Sequence, residues 1–290
     1  MSRLDFPTAA TLRTSLLRFA MGPRYIDPQI PRGREVSIAG ARVLVTGASS
    51  GIGRAAAVRL GELGAEVLLV ARRAEELEAV RSEIVRSGGT ANCLACDITD
   101  QEAVTRLTTE VESKWGAIDV LINNAGRSIR RSVVDSLDRF HDYERTMAVN
   151  YFGTVRLTTS LLPAMLERGS GQIVNVGTWG VVMGTMPKFA AYGASKSAIA
   201  AFARSLGAEI AGRGITVTTV HYPLVHTPMS NPTEEYRREA AGLTPTAAAE
   251  WLIPTLQRRP VVVYPRGAAL ARTVDAFRPS LVDRALMTGS

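Results

Sequence analysis

Tyr192 and Lys196 stand four residues apart in Tyr192-Gly193-Ala194-Ser195-Lys196, inside a stretch whose pattern reads as a long helix. That spacing puts both side chains on one helix face. A free phenol ionises at a pKa of about 10 and is a poor acid-base group at neutral pH. An ammonium beside it favours the phenolate and brings its proton into the useful range. Such a pair is common on helices, so its meaning depends on what the rest of the chain places near it.

A second cluster gives that context. Thr46-Gly47-Ala48-Ser49-Ser50-Gly51-Ile52-Gly53 follows a short apolar run at 43–45 and opens a helical pattern. Glycines between a strand and a helix let the backbone turn tightly and approach a pyrophosphate, while the helix terminus offers free N–H groups. Gly47, Ser49, Ser50, Gly51, Ile52 and Gly53 are therefore the expected cradle for a dinucleotide. The next apolar run, 67–71, ends in Ala71-Arg72-Arg73, where an acidic residue would bind the ribose hydroxyls of NAD. Arg72 suits a 2′-phosphate instead, with Arg54 as reinforcement, so NADP(H) is the expected cofactor. Asp97, closing the third run, is placed for the adenine edge. Asn124, Ala125 and Gly126 follow the fourth run and complete the cradle.

Bringing these turns together requires short buried strands alternating with helices. Strand-like runs at 43–45, 67–71, 91–96, 118–122, 172–176, 215–220 and 261–264 alternate with helical patterns at 52–63, 75–86, 99–115, 140–165 and 191–211. Continuous apolar strands linked by helices predict an α/β fold, a doubly wound parallel sheet of the Rossmann type in a single domain over 39–265. Residues 1–38 read as an extension. A short basic amphipathic helix at 8–21 either packs on the domain or a partner subunit, or serves as a peripheral membrane foot. Gly22, Pro23, Pro28, Pro31 and Gly33 are then expected to break regular structure. A substrate lid is expected at about 228–250, where Met229, Tyr236, Leu243 and Trp251 either line a channel or pack on the sheet. The tail, 266–290, carries Leu270, Val274, Phe277 and Leu281 at helical spacing, which suits packing against a partner subunit.

The 290 residues, 46% apolar and 21% charged, suffice for one large core and exclude disorder of the whole chain. A net charge of +7 favours anionic partners, but the basic residues are scattered and carry no nucleic-acid motif. The two cysteines, Cys93 and Cys96, fall in a strand-like run and read as core thiols in a reducing, cytoplasmic setting. No metal site is expected. The sequence also lacks an apolar run of the roughly 18 residues needed to span a membrane.

In this order, T-G-A-S-S-G-I-G, N-N-A-G, Asn150 in V-N-Y-F-G and Y-G-A-S-K give a chain that resembles the short-chain dehydrogenase/reductase family over about 38–264. The resemblance implies that Tyr192 is the acid/base, that Lys196 holds the nicotinamide ribose and tunes the tyrosine, and that Asn150 helps hold a relay water. It also implies cofactor contacts from Pro223, Val225 and Thr227, and a dimer or tetramer. Two positions depart from the family pattern. Where a serine usually polarises the carbonyl, the nearest hydroxyl is Thr178, one residue farther from the tyrosine than usual. Leu224 replaces a glycine and would narrow the nicotinamide side.

Longer runs around Asn123–Arg131, 138–147 and 223–229 are similar to bacterial fatty acyl-CoA reductases that release aldehydes. That resemblance implies a long-chain acyl thioester as substrate. Arg127, Arg130 and Arg131 would hold coenzyme A phosphates, unless they serve the surface or a subunit ion pair. The alternatives are an NADPH-linked oxidoreductase of a hydrophobic alcohol, aldehyde, 3-oxoacyl or steroid-like substrate, or a non-catalytic NADPH-binding protein.

Overall fold

The computed structural model describes residues 19–30, 36–231 and 241–288. The apolar runs become strands β2 (Arg42–Thr46), β3 (Glu66–Ala71), β4 (Thr90–Ala95), β5 (Val120–Asn123), β6 (Gly171–Thr178), β7 (Ile215–Tyr222) and β8 (Pro260–Pro265), preceded by β1 (Pro23–Pro28). They form one sheet in the order β1-β8-β7-β6-β5-β2-β3-β4. Every neighbouring pair is parallel except β1 with β8. The chain winds outward in both directions from the β2/β5 pair, which leaves a crevice at the carboxyl ends of those strands.

Alternation along the strands explains how both faces become core. Val43, Val45, Val67 and Leu69 enter one buried cluster; Leu44, Leu68 and Val70 enter the other. The first layer is covered by α1 (Gly51–Glu62), α2 (Ala74–Arg86) and α8 (Pro245–Arg258). The second is covered by α3 (Gln101–Trp115), α5 (Thr154–Arg168) and α7 (Ala190–Glu209). Asp100 caps α3 by accepting from the Glu102 and Ala103 N–H groups. Cys96 is buried in the second layer while Cys93 packs against the first, so the two thiols lie on opposite faces.

The remaining elements are α4 (His141–Met147), α6 (Trp179–Val182), α9 (Arg266–Phe277) and α10 (Pro279–Thr288). Between α4 and α5 the chain makes a π-helical turn, Ala148–Gly153, in what the sequence presents as one continuous helix. Among the described residues no helix is long and apolar enough to cross a membrane.

The amino-terminal extension departs from expectation. Instead of irregular chain, Pro23–Pro28 pairs antiparallel with β8, with Pro23 opposite Pro265 and Pro28 opposite Pro260. Prolines are tolerated because this is the sheet edge and they stand at the strand's ends, where a missing N–H breaks no ladder. Tyr25 packs on the first layer, and its hydroxyl donates to the Trp251 carbonyl at 3.4 Å. Of the helix expected at 8–21, only 19–21 is described, and it is helical. In the expected lid, 232–240 and with it Tyr236 lie outside the described residues. Trp251 and Leu243 pack on the sheet, Trp251 with its ring centroid 5.2 Å from that of Tyr222, and Met229 is exposed.

Candidate active site

The glycine turn after β2 is locked to the turn after β5. Thr46 Oγ1 accepts from the Asn124 and Ala125 N–H groups at 2.9 and 3.0 Å, and Asn124 Nδ2 donates to the Thr46 carbonyl at 2.9 Å. Gly47 has φ +65°, and a Cβ there would lie 2.9 Å from Ala125 Cα. A Cβ on Gly53 would lie 2.3 Å from the Gly47 carbonyl oxygen, so only glycine allows α1 to start this close to the turn. Ser50 is the N-cap residue of α1, yet its side chain makes no capping bond. No acidic residue stands in the first turn of α1. Its free N–H groups thus present a dipole end suited to an anion. Thr227, after β7, comes within contact range of Gly51, which brings the 223–227 segment to the same crevice. Pro223 and Val225 are buried there, and Leu224 is partly buried.

At the end of β3, Arg72 is three-quarters exposed with Nη1 4.0 Å from the Asp97 carboxylate at the end of β4. Asp97 accepts from the Thr99 N–H and hydroxyl. Arg73 pairs with Glu76 of its own helix. The Arg54 guanidinium, expected beside Arg72, instead donates to Glu83 of α2 at 2.5 Å. The glycine clearances, the free helix terminus and a basic residue at the end of β3 fit a dinucleotide carrying a further phosphate.

On α7, Lys196 Nζ lies 6.0 Å from the centroid of the Tyr192 ring and donates to the Val176 carbonyl at 2.8 Å. Burial pulls the Lys196 pKa down to about 8. Asn150, on the π turn, is fully buried. Its Oδ1 accepts from the Arg127 N–H at 2.7 Å, and its Nδ2 donates to the Arg127 carbonyl and to Ser195 Oγ. Ser195 Oγ in turn donates to the Tyr192 carbonyl at 2.7 Å. Sequence reasoning missed Ser195 as a connector, although its place between tyrosine and lysine, on the inward face of α7, was the available signal. Gly126 completes the group, since a Cβ there would lie 3.5 Å from Lys196 Nζ.

Thr178 ends β6 and occupies the N-cap position of α6, yet its hydroxyl makes no capping bond. Its carbonyl accepts from Nδ1 of His221, a second residue that sequence reasoning left unassigned. Between Thr178 and Tyr192 the chain makes the α6 turn and then passes through Gly184 and Lys188, both at positive φ.

Of the three arginines after the Asn124–Gly126 turn, Arg127 is exposed while its backbone is held by Asn150. Arg130 is partly buried. Arg131 lies 3.7 Å from the buried Asp142, which also pairs with Arg139 and His141. Burial pushes the Asp142 carboxyl up, but the Arg139 hydrogen bond and the surrounding cations outweigh it and hold the pKa below its ordinary value. Arg131 is thus tied into its own chain by an ion pair that the sequence reading did not anticipate.

The family model described as short chain dehydrogenase matches residues 41–238. The chain belongs to the short-chain dehydrogenase family. A relative from Mycobacterium tuberculosis, named fatty acyl-CoA reductase, is 47% identical over 262 residues, covering 89% of each chain. Two solved members of the family are similar in structure. A 3-ketoacyl-(acyl-carrier-protein) reductase from Brucella melitensis complexed with NADH is 28% identical, with a TM-score of 0.71 over 78% of this chain and 96% of the other. A metagenomic short-chain oxidoreductase in complex with NADP is 30% identical, with a TM-score of 0.65 over 76% and 92%. The protein is therefore an oxidoreductase of this family with the Rossmann fold expected from its sequence, and these two structural neighbours are solved with NADH and with NADP.

Proposed function

We propose that this short-chain dehydrogenase is an NADPH-dependent reductase that converts a long-chain fatty acyl-CoA to the fatty aldehyde. The observation that carries the substrate class is the likeness to a protein named fatty acyl-CoA reductase along nearly the whole of both chains. The choice of NADPH rests on Arg72 and on the absence of an acid at the end of β3.

Bound NADPH would supply hydride to the thioester carbonyl carbon. Gly47, Ser49, Ser50, Gly51, Ile52 and Gly53 would hold its pyrophosphate, Arg72 its 2′-phosphate, and Asp97 its adenine edge. Asn124, Ala125 and Gly126 with Pro223, Val225 and Thr227 would hold the nicotinamide end. Tyr192 donates its phenolic proton to the carbonyl oxygen as the carbonyl is reduced. Lys196 favours the phenolate left behind through its positive charge. The Thr178 hydroxyl, which makes no capping bond to α6, donates a hydrogen bond to the same oxygen. As the resulting thiohemiacetal breaks its C–S bond, the Tyr192 phenolate takes back the hydroxyl proton, the carbonyl reforms as the aldehyde, and coenzyme A leaves as a thiolate that takes one proton from water. Arg127 and Arg130 are the arginines proposed to meet the phosphates of coenzyme A, with Arg131 held by Asp142 in support. No thioacyl-enzyme is needed. Cys93 on β4 and Cys96 just past its end lie at the sheet edge farthest from β1, well away from β6, and burial raises the Cys96 pKa to about 11.

The working assembly is proposed to be a homodimer or homotetramer. Leu270, Val274 and Phe277, exposed on one face of α9, give a second copy apolar surface to cover. Peripheral membrane contact is proposed for the basic amphipathic helix expected at 8–21, and the cytoplasm remains the proposed location.

Incubation with palmitoyl-CoA and NADPH, with the products trapped and identified, tests the reading. Hexadecanal in an amount equal to the NADPH consumed is expected. Intact palmitoyl-CoA together with turnover of 3-oxoacyl thioesters or long-chain ketones would move the same residues to an NADPH-linked carbonyl reductase, the reading favoured by the likeness to the ketoacyl reductase.

A further inference from the structure

His221 is a buried residue beside the site that the chemistry above does not use. It lies on β7, one residue before Tyr222, which pairs with Thr178 across the β6/β7 ladder. The imidazole is buried, and Nδ1 stands 3.0 Å from the Thr178 carbonyl oxygen. A carbonyl oxygen can only accept, so Nδ1 carries the proton and the ring is the neutral Nδ1–H tautomer. Burial, with a smaller contribution from the Lys196 charge, pulls its pKa down to about 4, so this hydrogen bond persists across the physiological range.

The neighbouring strand is shaped to admit the ring. Gly177 pairs with His221, and a Cβ on Gly177 would lie 2.7 Å from Nδ1 and 3.2 Å from Cε1. Any larger residue at 177 would displace the imidazole. The bond is made at the point where β6 ends and α6 begins. Thr178 is held there in extended conformation, φ −132° and ψ 144°, and its hydroxyl makes no bond to the helix that it precedes. An N-cap threonine ordinarily turns its hydroxyl to the N–H groups of the following turn. Here the peptide is fixed from the β7 side while the hydroxyl makes no bond to α6.

We propose that His221 is a positioning residue: by donating Nδ1–H to the Thr178 carbonyl, through the space left by Gly177, it fixes the Thr178 peptide so that the hydroxyl faces the reacting carbonyl rather than capping α6. The inference rests on the proposed role of Thr178 in the reduction. It explains how a threonine one residue farther from Tyr192 than the family's usual serine serves that role, because the anchor lies on the adjacent strand rather than in the longer loop.

The test is a mutant cycle on the full-length protein with NADPH and whichever carbonyl substrate it turns over. His221→Ala is expected to lower kcat about 10- to 100-fold, the range of a lost buried hydrogen bond, with the NADPH dissociation constant within about twofold of wild type. His221→Asn, whose amide N–H can reach the same carbonyl, restores most of the loss. In a Thr178→Ala background His221→Ala adds less than about twofold, because the group that it aims is gone. If His221→Ala folds poorly, Gly177→Ala is the second variant, and the same kcat loss with unchanged NADPH affinity is expected. Wild-type kcat in both variants overturns the inference, and so do fully additive losses in an impaired Thr178→Ala. A Thr178→Ala protein of undiminished activity instead refutes the role of Thr178, and the inference with it.

Discussion

The Lys196 ammonium stands 6.0 Å from the centre of the Tyr192 ring while donating to the Val176 carbonyl at 2.8 Å, so one strand holds the lysine in place against the phenol. The lysine's charge is what lowers the cost of the phenolate, and its pKa, pulled down to about 8 by burial, sets where that help ends. In the apoenzyme the lysine loses its charge as pH rises through about 8. Activity measured at limiting cofactor should therefore fall above that pH, and a kcat/KM profile that stays flat to pH 10 would contradict the assignment. For stability the sign is the reverse of a salt-bridged lysine. The unfolded chain keeps this proton up to a pKa of about 10.4 and the native state does not, so stability rises with pH across roughly 8 to 10.4. Lys196→Met should accordingly raise the apoenzyme Tm at pH 7, and this gain should shrink across that window.

Arg72 is expected to set cofactor choice. Arg72→Asp removes the cation and puts a carboxylate where the ribose hydroxyls of NADH would lie. The KM for NADPH should rise about 10- to 100-fold, the equivalent of losing a hydrogen bond to a charged group, while the KM for NADH holds or falls. Arg54→Ala, whose guanidinium is engaged by Glu83, should change NADPH affinity by less than about threefold. Initial rates with both cofactors decide the matter.

Gly53 has no room for a methyl group. Gly53→Ala would set a Cβ 2.3 Å from the Gly47 carbonyl oxygen and force α1 away from the turn. We expect destabilisation of about 1–3 kcal/mol in urea titrations, the usual cost of overpacking, together with clearly weakened NADPH binding. Unchanged binding would contradict the cradle.

Asn150 ties the Arg127 backbone to Ser195 of α7 through three hydrogen bonds. Asn150→Ala leaves the Arg127 N–H without its acceptor, so stability should fall by about 1–3 kcal/mol and kcat should fall more than the KM for NADPH rises. A variant with wild-type kcat would confine Asn150 to structure.

Much of this was legible in the sequence, for physical reasons. A parallel strand is buried on both faces and so announces itself as an unbroken apolar run, which is why β2, β3 and β5 fell where the pattern put them. Glycines at Gly47 and Gly53 were informative because close backbone approach leaves no other choice. By contrast β1 lies at an edge and is bounded by prolines, features that in a single sequence look like loop. The π turn carrying Asn150 has no periodic signature that separates it from the α-helices on either side. The pairing of Arg54 with Glu83 joins residues on different helices, and the His221 to Thr178 bond depends on strand register. Neither relationship has a local pattern, so only the assembled sheet reveals it.

The central claim is that Tyr192 drives reductive release of coenzyme A from an acyl thioester. The most direct measurement follows NADPH consumption with palmitoyl-CoA while a thiol reagent counts free coenzyme A, in wild-type protein and in Tyr192→Phe. The account predicts one thiol released per NADPH oxidised, no release without NADPH, and loss of both signals by a factor of about 100 or more in Tyr192→Phe. A burst of free thiol before NADPH is added, or release that persists in Tyr192→Phe, would contradict it.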